Sequence, residues 1–141
     1  MACAPSREEV EAEIKIVLAN EFQAHMERNA NQLVATFSDN FTSVDKGKIH
    51  SPSYDESHVR FQQYFSAVKI IKWDDVQPPI LNFSDDKSLA YALIQKQVVT
   101  ESLQDSKVRD TTYFAWTAIY RKQSGTWKLE TITSTREKCG N

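Results

Sequence analysis

Leu33-Val34-Ala35-Thr36-Phe37-Ser38-Asp39-Asn40-Phe41-Thr42-Ser43-Val44-Asp45-Lys46-Gly47 changes its pattern partway along. Its start continues a short helical stripe made by Ala30, Leu33, Val34 and Phe37, which Asn29 or Asn31 can cap. Ser38-Asp39-Asn40 reads as a loop, and Phe41 to Asp45 as a short strand. Lys46-Gly47 then supplies a turn, from which Lys48 to His50 returns as the second arm of a hairpin.

Upstream, Ser6 followed by Glu9 has the form of a capping box, so a helix starts near Arg7. Val10, Ile14, Val17, Leu18 and Phe22 recur at spacings of three and four, which is one face of that helix, and Arg28-Asn29 marks its end. Downstream, Ser51-Pro52-Ser53 breaks the chain. Asp55 or Ser57 can cap a third helix with the stripe Phe61, Phe65 and Val68. The remainder is strand-like: Val68 to Val76, interrupted by Pro78-Pro79 and so placed at an edge or a bulge, then Leu89 to Glu101, Val108 to Lys122 and Trp127 to Arg136. Gln123-Ser124-Gly125 is the hairpin turn between the last two. Helices first and long strands after is the α+β pattern. It predicts a cone-shaped domain, with three helices packed on a strongly curved antiparallel sheet. Residues 7–138 form that single domain, with tails at 1–6 and 139–141.

At 141 residues, 40% hydrophobic and 26% charged, the chain can bury a sizeable core without disulfides or metal. Its formal charge of -2 and the lack of any Lys/Arg run argue against a nucleic-acid partner. No apolar stretch approaches a membrane span. His25, His50 and His58 are scattered without ligand spacing, so no metal is expected. With three glycines, a phosphate loop or dinucleotide fingerprint has no room, and no cofactor is expected. Cys3 and Cys139 stand near opposite ends, as free thiols or as a pair. A complete chain would be cytoplasmic. Alternatively, Met1-Ala2-Cys3-Ala4 is what remains of a bacterial cell-envelope lipoprotein trimmed of its signal, with Cys3 as the lipid site.

The order of helix, helix, short hairpin, helix and long strands resembles the nuclear transport factor 2-like superfamily, across roughly Glu8 to Lys138. The opening stretch is similar to the family's segment of helix, Phe-x-Asp-Asp, short strand and Asp-x-Gly. Ala118-Ile119-Tyr120-Arg121-Lys122 followed by Gly125-Thr126-Trp127-Lys128-Leu129 is similar to its last hairpin, where Gly-x-Trp-Lys closes the sheet. The resemblance implies a cystatin-like roll around a pocket. It does not choose among enzymes, transport adaptors and assembly domains, because fold alone does not specify function.

Asp45 ends the first short strand, where the resemblance to ketosteroid isomerase places a catalytic base. Desolvation there would raise its pKa toward a useful range; the other reading is plain turn chemistry with Lys46-Gly47. Glu21 and His25 lie four residues apart, near the centre of the first helix's apolar stripe. A Glu aimed into a core is costly unless paired. The two could line a pocket as an acid and a base, they could be partly solvated, or the carboxylate could satisfy a nearby Tyr or Trp. The isomerase holds its oxyanion with a Tyr and a protonated Asp. Those positions fall on Glu21 and near Trp116, so steroid isomerisation is disfavoured.

Alternation on the penultimate strand puts Thr112, Phe114, Trp116, Ala118 and Tyr120 on one side, and Thr111, Tyr113, Ala115, Thr117 and Ile119 on the other. Tyr64, Tyr91, Phe114 and Trp116 are candidate walls of an apolar pocket, or core filling. Two functions follow. One is a pocket for a small apolar or carbonyl-containing molecule, extending to a proton-transfer isomerase, cyclase or dehydratase of the SnoaL-like type, with Asp45 as base and Glu21 and His25 as partners. The other is a non-catalytic binding or assembly module. Either would pair as a homodimer through the outer sheet face.

Overall fold

The computed structural model describes residues 4–139. The chain runs α1 (Arg7–Met26), α2 (Ala30–Val34), β1 (Phe37–Asp45), β2 (Lys48–His50), α3 (Tyr54–Ala67), β3 (Val68–Asp75), β4 (Ile80–Phe83), β5 (Leu89–Ser102), β6 (Arg109–Gln123) and β7 (Thr126–Lys138). Ser6 caps α1 by accepting the Glu9 amide hydrogen at 3.1 Å, and Asn29 caps α2 through Gln32 at 3.0 Å. These bonds satisfy amides that the first helical turn leaves without partners.

Two local expectations are corrected. The third helix is capped by Ser53, whose hydroxyl accepts from the Glu56 amide at 3.1 Å, and not by Asp55 or Ser57. Ser53 and Glu56 have the spacing of a capping box, and this cap leaves Asp55 in the first turn, with Ser57 buried at 4% exposure. Phe37 opens β1 instead of closing α2. The Leu129 amide donates to Thr36 O at 2.8 Å, and Phe37 aligns with Leu129 of β7. Ser38-Asp39-Asn40 therefore belongs to β1, as the irregular stretch where the register shifts between Phe37 and Thr42.

The seven strands form one sheet in the order β2-β1-β7-β6-β5-β3, with β4 also paired to β5. The sheet is mixed, not wholly antiparallel, because β1 runs parallel to β7. Tight hairpins force antiparallel pairing on consecutive strands, whereas β1 and β7 are separated by most of the chain and are free of that constraint. β3 lies at an edge and carries a register shift between Ile70 and Lys72. Such irregularities bend strands and curve the sheet. The helices occupy its concave face. Ala92 and Ala118 face each other at the sheet's centre and share a core cluster with Val10 and Ile14 of α1, both fully buried. Small residues there let the helix seat closely. No helix among the described residues is long and apolar enough to cross a membrane. Cys139 is exposed; its pairing with Cys3 lies outside the described residues.

Candidate active site

Between the helices and the sheet lies a cavity of about 340 Å³. Its size is at the small end for ligand pockets, which run about 300–1,000 Å³. Glu21, His25, Asp45, Tyr64, Phe114 and Trp116 all line it. Tyr91 does not. It is 42% exposed on the outer face, where it pairs with Ile119 of β6. Ala90, Ala92 and Ile94 are the buried side of β5, so strand alternation turns Tyr91 away from the helices.

Glu21 is the more buried of the two carboxyls on the cavity wall. It is 6% exposed, on the α1 face that carries Val10 and Ile14. The Tyr120 hydroxyl, itself on a fully buried side chain, donates to Glu21 Oε1 at 2.9 Å and stands 3.2 Å from Oε2. Burial pushes the Glu21 carboxyl up to about 7, against the opposing pull of the Tyr120 bond and the Lys96 charge. Burial and the neighbouring Glu21 carboxylate together raise Tyr120 well above the usual phenol range. At neutral pH Tyr120 is therefore a donor, and Glu21 is poised between its two protonation states.

His25 sits one turn further along α1. Its Nδ1 is 2.8 Å from the Glu21 backbone carbonyl. A carbonyl only accepts, so Nδ1 carries the hydrogen and neutral Nε2 is left with a free lone pair. The ring stacks on Trp73 (centroids 4.0 Å apart, planes 13° apart) and meets Phe65 edge-on. Burial pulls His25 down to about 4, and the Lys96 charge adds to this while the carbonyl bond opposes it. Lys96 is itself buried, ion-paired to Asp75 at 2.8 Å and 4.2 Å from the Trp73 ring centroid. The imidazole is thus neutral and locked in plane.

Asp45 lines the cavity from the end of β1 and is half-buried. Tyr64 lines it from α3, and burial raises its hydroxyl pKa. Trp116 and Trp73 approach with centroids 5.9 Å apart, giving an apolar wall. The cavity also exposes residues that the reading of the sequence did not pick as site residues. Tyr120 had a signal: it lies on the inner side of β6, and a buried carboxylate needs a donor. Arg136 had one as well, since Ile132, Ser134 and Arg136 alternate inward on β7. Arg60 on α3 had none. Among the described residues, no group of three or more His, Cys, Asp or Glu side chains could hold a metal ion.

No protein-family model matches this chain, and no curated protein matches its sequence. Solved structures do match it in shape. A protein from Planctomyces limnophilus superposes with a TM-score of 0.80 at 14% identity, covering 94% of this chain and 100% of that one. A ketosteroid isomerase-like protein from Erwinia carotovora atroseptica gives 0.70 at 14% identity, covering 96% and 100%. An NTF2-like protein from Cytophaga hutchinsonii gives 0.69 at 11% identity, covering 93% and 98%. At such identities the likeness concerns the fold alone.

Proposed function

We propose that this chain, whose fold is that of the nuclear transport factor 2-like superfamily, binds a small molecule in its cavity and moves a proton on it. One observation carries this reading: a carboxyl buried to 6% exposure opens onto a cavity of about 340 Å³ with its pKa raised to about 7. A group that costly to bury, tuned to the working pH, is typical of a functional site. Protonated Glu21 donates to a substrate oxygen. His25 Nε2 or the Asp45 carboxylate, on separate walls of the same cavity, takes a proton from carbon. Proton loss from carbon paired with proton gain at oxygen is the shared core of isomerisation, cyclisation and dehydration. The aromatic wall of Trp116, Phe114 and Tyr64 suits an apolar or carbonyl-containing body.

The second reading is a binding or assembly module without chemistry. It is favoured by the Tyr120 bonds, which satisfy Glu21 without any ligand. In either case the outer sheet face, with Tyr91 and Leu93 exposed, would pair two copies. The discriminating experiment is an NMR titration of the side-chain carboxyls. The Glu21 midpoint is expected near 7, and Tyr120→Phe should raise it further by removing the bond that favours the charged form. A Glu21 midpoint at the ordinary value of 4.5, unmoved by Tyr120→Phe, would leave the binding-module reading in place.

A further inference from the structure

The cavity also carries two arginines whose position bears on what enters it. Arg60 comes from α3 and Arg136 from β7, and both line the cavity. The other arginines spend their guanidinium groups on the protein. Arg7 donates to Leu81 O, Arg28 to Phe65 O, Arg109 to Glu101 and Arg121 to Glu130. Among the described residues, Arg60 and Arg136 have no such acceptor. Arg60 lies over the Phe61 ring, 5.9 Å from its centroid. Glu56, one turn earlier on α3, Glu137, next to Arg136, and Asp45, on the cavity wall, form no ion pair with either.

Both arginines are exposed while the Glu21 end is buried, so the cavity has an apolar body, a buried carboxyl at its floor and a cationic mouth. Arg136 aligns with Phe114 and Ser134 with Trp116 across the β6–β7 pair, which continues the aromatic wall directly into the cationic rim. With Glu21 protonated, the wall holds two fixed cations against one carboxylate, Asp45, which matches a monoanion. A guanidinium presents a planar fork of donors that fits a carboxylate in a way an ammonium does not.

We propose that the ligand is a small carboxylate with an aromatic or aliphatic body, whose carboxylate is held at the mouth by Arg60 and Arg136 while the rest reaches toward Glu21 and His25. This rests on the reading of the cavity as a ligand site, and it adds a substrate class to it. It also orients the ligand: the charged end stays at the rim and the reacting carbon and oxygen lie inward, where neutral groups tolerate a dry environment.

The test uses the full chain and matched pairs of aryl and alkyl carboxylates with their neutral amides, 3-phenylpropanoate and 3-phenylpropanamide among them. Trp73 and Trp116 line the cavity, so their emission reports binding, and calorimetry gives affinity independently. The carboxylates should bind about tenfold or more tightly than the amides. Arg60→Gln and Arg136→Gln should each erode that preference, and the double variant should abolish it, with amide affinity unchanged throughout. Both side chains are exposed, so these variants leave the core intact. Equal affinity for acid and amide in the wild type, or a preference that survives the double variant, overturns the carboxylate assignment and leaves the proton-transfer reading standing. Failure of every member to bind overturns both.

Discussion

Glu21 and His25 titrate in opposite senses, and that gives their placement a signature in stability. Folded Glu21 holds its proton up to about 7, whereas an unfolded carboxyl releases it near 4.5. Its contribution is therefore full below 4.5 and is lost as pH rises through 7. Folded His25 stays neutral down to about 4, whereas an unfolded imidazole protonates near 6.5. Its contribution is full above 6.5 and is lost as pH falls through 4. Each effect is worth about 3 kcal/mol over its range, and between 4.5 and 6.5 they cancel. Urea unfolding across that interval should show stability rising with pH in Glu21→Gln and falling with pH in His25→Gln, both relative to wild type. Difference curves that stay flat would mean that neither group is buried as described. The helical spacing of Glu21 and His25 was legible in the sequence. Their shifts were not, because burial depends on Tyr120, Trp73 and Lys96, all distant along the chain.

At the level of elements, the helix caps are local chemistry. Ser6 and Asn29 cap as their spacing implies. For α3 the residues pointed to Asp55 or Ser57, whereas the Glu56 amide donating to the Ser53 hydroxyl places the cap earlier. Ser53→Ala should cost about 1 kcal/mol in thermal or chemical unfolding, whereas Asp55→Ala should cost only a few tenths. The reverse order would place the helix start later. The two hairpin turns are equally local. Lys46-Gly47 has φ of 51° and 77°, and Ser124-Gly125 has φ of 51° and 79°. Both turns take the left-handed conformation that glycine enters without cost. What the elements could not settle locally was which face of β5 points inward. Tyr91 looked like a pocket aromatic until its pairing with Ile119 turned it outward.

For the whole molecule, the outer sheet face is the surface left without helices. Tyr91, Leu93, Ile80 and Tyr113 are between 36% and 46% exposed there, beside the smaller Ala115 and Thr117. Light scattering at micromolar concentration is expected to give twice the monomer mass, and Leu93→Lys to return it to the monomer. A wild-type monomer would remove this face as an interface. The amino-acid sequence by itself determined the order of the three helices and the long strands, the caps of α1 and α2, the turns and the inward side of β6, because each of these follows from neighbours within a few positions; β4 and the cap of α3 came from the structure. It also pointed to the helix face holding Glu21 and His25. Only the tertiary structure decided the parallel pairing of β1 with β7, the meeting of Glu21 with Tyr120 across the core, and the convergence of Arg60 and Arg136 on one cavity. Those contacts join residues dozens of positions apart, and their energies depend on packing and desolvation that arise only once helices and sheet close around the same space.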